Sequence, residues 1–185
     1  MASESRTTQF VHLHKILKKH YKPVAADSQR SVLEHLLFAC VLEDAHYEPA
    51  EESFAGLVHT FFDWNEVRVT SIAELAEVMA SLPDPRRAAN RVKRVLHSLF
   101  EDNFTFDLEG LRKQNQGPTV QWLEKLEGTD HFVIAYVVQA GLGGHAIPVD
   151  IGTLRALCAM DLATEDDLAS GTVAGLERAI AKAKG

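Results

Sequence analysis

Apolar residues recur every three or four positions along most of this chain, and no stretch of useful length alternates apolar and polar residues as a half-buried strand would. The first such stretch ends at Pro23, and its apolar positions are Phe10, Leu13, Ile16, Leu17 and Tyr21. This periodicity predicts an all-α protein of roughly nine to eleven short helices.

Capping signals mark the starts of the predicted helices. Ser31 and Ser71 each stand three residues before a glutamate, which is the spacing of a capping box, and Thr164 opens the last elements. Asp84 followed by proline predicts an N-cap with proline at the first helical position. Pro49 opens a further predicted helix, in which a broad apolar face is formed by Phe54, Leu57, Val58, Phe61 and Phe62.

The formal net charge of −7 argues against binding of nucleic acid by overall charge alone. Two segments concentrate cations and offer a local basic face: residues 12–22, with four lysines, and residues 86–94. The alternative is that both are ordinary solvated helix faces. The cations of the second segment are Arg86, Arg87, Arg91, Lys93 and Arg94.

Cofactor and membrane signals are missing from the sequence. Its cysteines are Cys40 and Cys158, which both lie in apolar stretches, so we expect two buried thiols and no four-thiolate iron–sulfur site. Neither an HExxH nor a CxxC motif occurs, so we expect no metal and no cofactor. No apolar run has the length of a membrane span, and residues 1–8 are polar, so we expect a cytoplasmic protein.

The segment LEKLEGTDHFVIAYVVQAGLGGHAIPVDIGTLRAL, residues 123–157, resembles the signature of the helix-hairpin-helix GPD superfamily of DNA base-excision repair glycosylases, which includes endonuclease III. Leu126 and Gly128 match the first half of the hairpin, and residues 141–149 resemble the loop that follows the second helix. The stretches LLFACVLED and DPRRAANRVKRVLHSLF resemble the buried second helix and the helix before the hairpin. The resemblance implies an endonuclease III-like fold with two small lobes.

The resemblance also implies functional residues. Asp150 matches the catalytic aspartate of the family, and Arg155 matches a basic residue one turn beyond it. A carboxylate in such a site stabilises the cationic sugar as the base leaves and orients the attacking water. Asp150 also stands where a helix begins, so its alternative role is that of an N-cap. The two roles are compatible.

The hairpin is expected to hold a phosphate of double-stranded DNA through backbone N–H groups. The residues that we assign to this contact are Gly128, Thr129, Asp130 and His131, with Arg91, Lys93, Arg94 and Arg155 as further DNA-binding residues. His131 has the alternative interpretation of a solvent-exposed turn residue without a special role.

Several positions depart from the family pattern. Glu127 replaces the hairpin proline and Asp130 the second glycine, and both add negative charge beside the expected phosphate. Bifunctional members carry a lysine just after the hairpin, where this chain reads His131-Phe132-Val133, so lyase chemistry through a Schiff base is not expected. The polar residues that enter DNA in the family correspond to residues 43–45, which are two acids and an alanine. The family's cysteine cluster has no counterpart.

The expected organisation has three parts. Residues 1–27 form an N-terminal helix that packs on the second lobe, and residues 28–140 form a helical lobe that ends in the helix-hairpin-helix of about 118–140. Residues 141–185 contain the loop, the helix of Asp150 and the C-terminal helices. Relatives have a further core helix, so the resemblance implies either a lineage without it or a truncated chain.

The first functional hypothesis is a monofunctional DNA glycosylase, which hydrolyses the N-glycosidic bond of a damaged or mismatched base without lyase activity. The alternative is a catalytically inactive member that binds DNA or a protein, which Glu127, Asp130 and the net negative charge favour. A third hypothesis is that only the fold is shared, since likeness of fold does not establish function.

Overall fold

Eleven α-helices make up the part of the chain that the computed structural model describes, residues 5–180. No strand occurs in this range, which confirms the all-α prediction. Glu109–Lys113 forms a 3₁₀ helix, and Val137–Gly141 continues the eighth helix as a π-helical turn. The helices are α1 (Arg6–His20), α2 (Val32–Leu42), α3 (Tyr47–Thr60), α4 (Trp64–Val69), α5 (Ile72–Val78), α6 (Pro85–Asn103), α7 (Gln116–Leu123), α8 (His131–Tyr136), α9 (Ile151–Ala159), α10 (Glu165–Ser170) and α11 (Leu176–Ala179).

Side-chain caps start the helices where their sequence signals predict them. The hydroxyl of Ser31 accepts the backbone N–H of Glu34 at 3.2 Å, while the Glu34 carboxylate accepts the N–H of Ser31 at 2.7 Å. The same reciprocal box forms at Ser71 and Thr164, and Asp84 caps α6. Each cap stabilises its helix by about 1 kcal/mol, because it satisfies N–H groups that have no partner within the helix.

The predicted apolar face of α3 was wrong at two positions. Phe62 is 95% exposed and Val58 is also exposed, whereas Phe54 and Leu57 are buried. The helix ends at Thr60, so Phe62 lies in the turn before α4 and no longer follows the helical period. The short helix α4 was not predicted from the sequence.

The larger core surrounds α2. Apart from Glu34 and the half-buried Leu42, every residue of this helix is buried, and it packs against α3, α6, α8 and the π-helical turn. Leu36, Leu37 and Phe38 are among the largest fully buried side chains of the described chain. We call the elements around this cluster, from α2 to the π-helical turn, the first lobe.

A second apolar cluster joins α1 to the elements after residue 148. Its buried members are Phe10, Val149, Leu154, Leu157, Leu162, Ala163 and Leu176, and we call these elements the second lobe. Arg6 at the start of α1 pairs with Asp167 at 2.5 Å and donates to the carbonyl of Leu162 at 2.8 Å. The backbone N–H of Thr164, together with Arg6, lowers the pKa of Asp167 to about 2.

Both cysteines are free thiols. Cys40 is buried in α2, and burial raises its pKa to about 12, so the thiol is neutral and unreactive. Cys158 is only half-buried, so the expectation of two buried thiols was wrong for this residue, whose Sγ donates to the carbonyl of Thr164 at 3.4 Å. Within residues 5–180, no helix combines the length and the apolar character needed to cross a membrane.

Candidate DNA interface and active site

A tight hairpin connects α7 to α8, and one glycine makes it possible. Gly128 has φ +97°, in the left-handed region, and a Cβ at this position would lie 2.9 Å from the carbonyl oxygen of Arg91 in α6. The hydroxyl of Thr129 donates to the carbonyls of Leu123 and Leu126 at 2.8 and 2.9 Å. The side chain of Thr129 therefore closes the hairpin. The hairpin lies directly against the backbone of α6.

Asp130 occupies the second glycine position of the hairpin without backbone strain. Its φ is −144°, so the chain is extended here and needs no positive φ. Oδ1 accepts the backbone N–H of Val133 at 3.0 Å and caps α8, while Oδ2 lies 3.4 Å from the guanidinium of Arg91. The aspartate thus serves as the helix cap, and its charge has a partner within the first lobe.

Acidic partners face the arginines along α6. Arg91 forms an ion pair with Glu43 of the segment after α2, and its side chain is only 14% exposed. Arg87 lies 3.3 Å from Asp44. The ammonium group of Lys93 donates to the carbonyl of Thr70. Arg91 and Lys93, two of the predicted DNA-binding cations, are therefore engaged inside the protein.

Arg94 differs from its neighbours in α6. Its side chain is 53% exposed, and its contact with Glu127 of the hairpin is long, at 3.5 Å. A groove of about 310 Å³ runs between α6 and the hairpin, and it is lined by Arg87, Asn90, Arg91, Arg94, Gly128, Thr129 and Asp130. The structure therefore brings five of the predicted DNA-binding residues together in one groove.

Asp150 stands at the N-cap of α9. Its Oδ1 accepts the backbone N–H of Thr153 at 2.8 Å, and its Oδ2 accepts the Thr153 hydroxyl at 3.1 Å. The carboxylate is half-buried and directly follows Val149, a member of the second core. Arg155, one turn further along α9, is exposed. The capping role of Asp150 is thus observed, with both oxygens held by one residue.

A cleft of about 550 Å³ separates the two lobes. Its walls come from α7, from one face of α8, from the loop after the π-helical turn and from residues 171–178 of the second lobe. His131, at the end of the hairpin, and Val149, just before Asp150, both line it, whereas Asp150 itself does not. His145 lines the same cleft and lies 2.9 Å from the carbonyl oxygen of Glu177. The cleft therefore lies between the hairpin and the loop that leads to Asp150.

The N-terminal turn of α8 carries no amine. Phe132 occupies the position after His131, and its half-buried ring lies 6.4 Å from that of Tyr136 one turn later. Across the part of the chain that the structure describes, no three His, Cys, Asp or Glu side chains come together in a way that would hold a metal ion.

Sequence reasoning missed a buried polar cluster in the first lobe, which we call the Arg30 cluster. The guanidinium of Arg30 lies 3.9 Å from the centre of the Phe38 ring and 4.8 Å from that of Phe54. Its Nη2 donates to Glu51 at 2.5 Å. The polar members of the cluster are Arg30, His35, Tyr47, Glu51 and Tyr136. These residues come from the end of the segment before α2, from α2, from α3 and from α8, and no sequence motif joins them.

Comparison with solved structures identifies the fold. A trapped endonuclease III–DNA covalent intermediate matches with a TM-score of 0.69 at 16% identity, over 98% of this chain and 80% of that chain. A 3-methyladenine DNA glycosylase from H. pylori, bound to 1,N6-ethenoadenine, matches with a TM-score of 0.62 at 16% identity, over 93% and 79% of the two chains. A thermostable thymine-DNA glycosylase matches with a TM-score of 0.66 at 13% identity, over 97% and 80%.

Searches by sequence give no match, either to a protein-family model or to a curated protein. The likeness to these solved structures therefore lies in the three-dimensional arrangement of the helices. The chain has the helix-hairpin-helix GPD fold of the endonuclease III-like DNA glycosylases.

Proposed function

We propose that this protein is a monofunctional DNA glycosylase, which binds double-stranded DNA and hydrolyses the N-glycosidic bond of a damaged or mismatched base. The observation that carries the proposal is the place of Asp150. Its carboxylate stands at the N-terminus of α9, at the end of the loop that follows the π-helical turn and lines the cleft between the lobes. The N-terminus of a helix is a place where a negative charge is stabilised, as the chemistry requires.

The reaction that we assign to this site is hydrolysis. The C–N bond to the base breaks, and the base leaves with the bonding electron pair and takes up a proton. The sugar gains positive charge, which the Asp150 carboxylate stabilises, and a water oxygen then bonds to the sugar carbon and releases a proton. Phe132 and its neighbours in the first turn of α8 offer no amine for a covalent intermediate, which favours water as the nucleophile.

DNA binding in this proposal depends on the groove between α6 and the hairpin. The backbone of Gly128 and Thr129 and the exposed guanidinium of Arg94 are its candidate phosphate contacts. Neutralisation of Arg91 by Glu43 and Asp130 supports a second candidate, a catalytically inactive member that binds DNA weakly or binds a protein.

Replacement of Asp150 by asparagine separates the two candidates. Asparagine caps helices as well as aspartate does, so we expect Asp150→Asn to keep its stability and most of its DNA affinity. A glycosylase should lose base release by at least about a hundredfold, since the charge that stabilises the transition state is gone. The measurement is single-turnover base release from duplexes with a panel of damaged and mismatched bases.

Asp63→Asn is the matched control, because Asp63 is also an N-cap aspartate, at the exposed start of α4. Its base release should equal that of the unaltered protein. If the panel reveals no released base, or if Asp150→Asn releases base as fast as the control, the enzymatic proposal is wrong and the binding candidate stands.

A further inference from the structure

The end of α1 lies outside both cores of the protein. Phe10, in the first half of the helix, is buried in the second core, but every residue from Lys15 to Gln29 is exposed. We call residues 15–22 the basic end of α1, because four of these eight residues are lysines. A partner can therefore reach the lysines without any rearrangement of the fold.

The charge of this region is opposite to that of the whole chain. Residues 5–26 contain five lysines and arginines and no aspartate or glutamate, although the formal net charge of the protein is −7. Within residues 5–180, no carboxylate forms an ion pair with Lys15, Lys19 or Lys22. On α6, by contrast, acidic side chains face the arginines. The charges of these three lysines are therefore not neutralised within the described part of the protein.

Stabilisation of the helix itself does not account for this charge. Cations in the last turn of a helix interact favourably with its dipole, and Lys18, Lys19 and His20 occupy that turn. Lys15 lies one turn earlier and faces Lys19 at a spacing of four residues, where like charges repel each other. Lys22 lies beyond the helix, which ends at His20. An anionic partner that lies along this surface would relieve the repulsion.

The orientation of α1 indicates which kind of anion this surface fits. Lys19 stands nine residues after the buried Phe10, which is about two and a half turns, so the two side chains lie on opposite sides of the helix. Leu13, on the side of Phe10, packs against the second core. A helix that binds a membrane surface needs its apolar side free to enter the lipid. The second core already covers that side of α1. The exposed side is cationic, and it fits an extended polyanion such as the phosphate backbone of DNA.

Resting on the proposed function for the choice of DNA as the polyanion, we propose that the basic end of α1 is a second DNA contact. Lys15, Lys19 and Lys22 bind phosphates outside the damaged nucleotide. The hairpin and α6 supply the contact of the first lobe, and α1 supplies one from the second lobe, which also carries Asp150. Phosphate contacts carry no sequence information. The basic end therefore adds affinity for duplex DNA without adding preference for a damaged base.

Replacement of all three lysines by glutamine tests the proposal, because glutamine removes the charge and forms helix about as well as lysine does. Binding to an undamaged duplex and to one with a non-cleavable abasic-site analogue is measured across a salt series. We expect the affinity for both duplexes to fall by at least about tenfold at low salt, and the salt slope to decrease by about two to three. The ratio of the two affinities should change by less than about twofold. An unchanged salt slope, or a loss confined to the abasic duplex, would overturn the inference.

Single variants separate a local contact from the general effect of added negative charge. Lys19→Gln and Lys113→Gln each remove one positive charge, and Lys113 is an exposed lysine at the end of the 3₁₀ helix in the first lobe. Lys19→Gln should reduce the salt slope by about one, whereas Lys113→Gln should leave it unchanged. Equal effects of the two variants would show that DNA binding responds only to net charge, and the proposal would be wrong.

Vesicles that contain an anionic phospholipid test the other class of partner, since Tyr21 and Val24 are exposed near the lysines in the sequence. If the triple replacement abolishes binding to vesicles and leaves DNA affinity unchanged, the partner is a membrane and the inference is wrong. The proposed function is judged separately, by base release. A protein that releases no base, but whose triple variant loses DNA affinity as described, refutes the enzymatic proposal and supports this one. Absence of binding to either duplex refutes the inference.

Discussion

At the scale of single residues, the hairpin depends on Gly128 for two separate reasons. The first is its φ of +97°, which strains any residue with a side chain, and the second is its contact with α6, where a Cβ would lie 2.9 Å from the carbonyl of Arg91. Asp130 has no such conformational requirement, because its backbone is extended. The glycine therefore fixes both the shape of the hairpin and its distance from α6.

Gly128→Ala should destabilise the protein by about 2 to 4 kcal/mol, since it adds a close contact with backbone to the cost of the left-handed conformation. Gly175→Ala is the control: its φ is +86° and nothing lies within 4 Å of the added methyl group, so only the conformational cost of about 1 kcal/mol applies. Urea denaturation of both variants measures the difference. Equal losses in the two variants would show that the hairpin does not press on α6.

At the scale of elements, the arginines of α6 differ in their exposure and in their ion pairs. An exposed arginine is available to bind DNA, whereas a paired one stabilises the fold. Arg91 is nearly buried between Glu43 and Asp130, whereas Arg94 is half in solvent and has only a long contact with Glu127. A buried charge that loses its partner costs far more free energy than an exposed one. Two arginines one turn apart thus have different roles.

We expect Arg94→Gln to weaken DNA binding, to reduce the salt slope by about one counterion, and to change the unfolding free energy by less than about 0.5 kcal/mol. Arg91→Gln should instead destabilise the fold by about 3 kcal/mol, because it leaves Glu43 almost buried without its partner. Urea denaturation and DNA binding across a salt series, applied to both variants, measure the contrast. If Arg91→Gln weakened DNA binding and left the unfolding free energy unchanged, Arg91 would be a DNA contact. Its ion pair with Glu43 would then break when DNA binds.

The elements also show what sequence can predict. The capping boxes predicted at Ser31 and Ser71 were confirmed, because a cap is a contact between residues three apart and depends on local sequence. The apolar face of α3 was predicted wrongly at Phe62. The helical spacing of apolar residues continues in the sequence beyond Thr60, where the helix itself ends. The local signal of that end is Asp63, which stands three residues before Glu66 and caps α4.

The candidate site was predictable in part for the same reason. The hairpin glycine and the aspartate before α9 are marked by their neighbours in sequence. The pairing of Arg91 with Glu43, and that of Arg30 with Glu51, joins residues of different segments, and these segments approach one another only in the packed structure. Which arginines of α6 are paired within the protein could therefore be seen only in the structure.

At the scale of the whole molecule, the net charge has to be reconciled with the proposed function. The chain has the arrangement of DNA glycosylases, with a hairpin, a cleft between lobes and a helix-capping aspartate, yet its formal net charge is −7 and acids neutralise much of α6. An acidic protein gains little from nonspecific attraction to DNA. Under the proposed function, binding would therefore depend on a small number of contacts at a distorted or damaged site.

Binding to duplex DNA with a non-cleavable abasic-site analogue, measured across a salt series, tests the central claim most directly. We predict that the protein prefers the abasic duplex to the undamaged one and that the logarithm of its affinity falls linearly with the logarithm of the salt concentration. Absence of binding at low salt would contradict the claim, and the glycosylase fold would then serve this protein in a role that does not involve DNA.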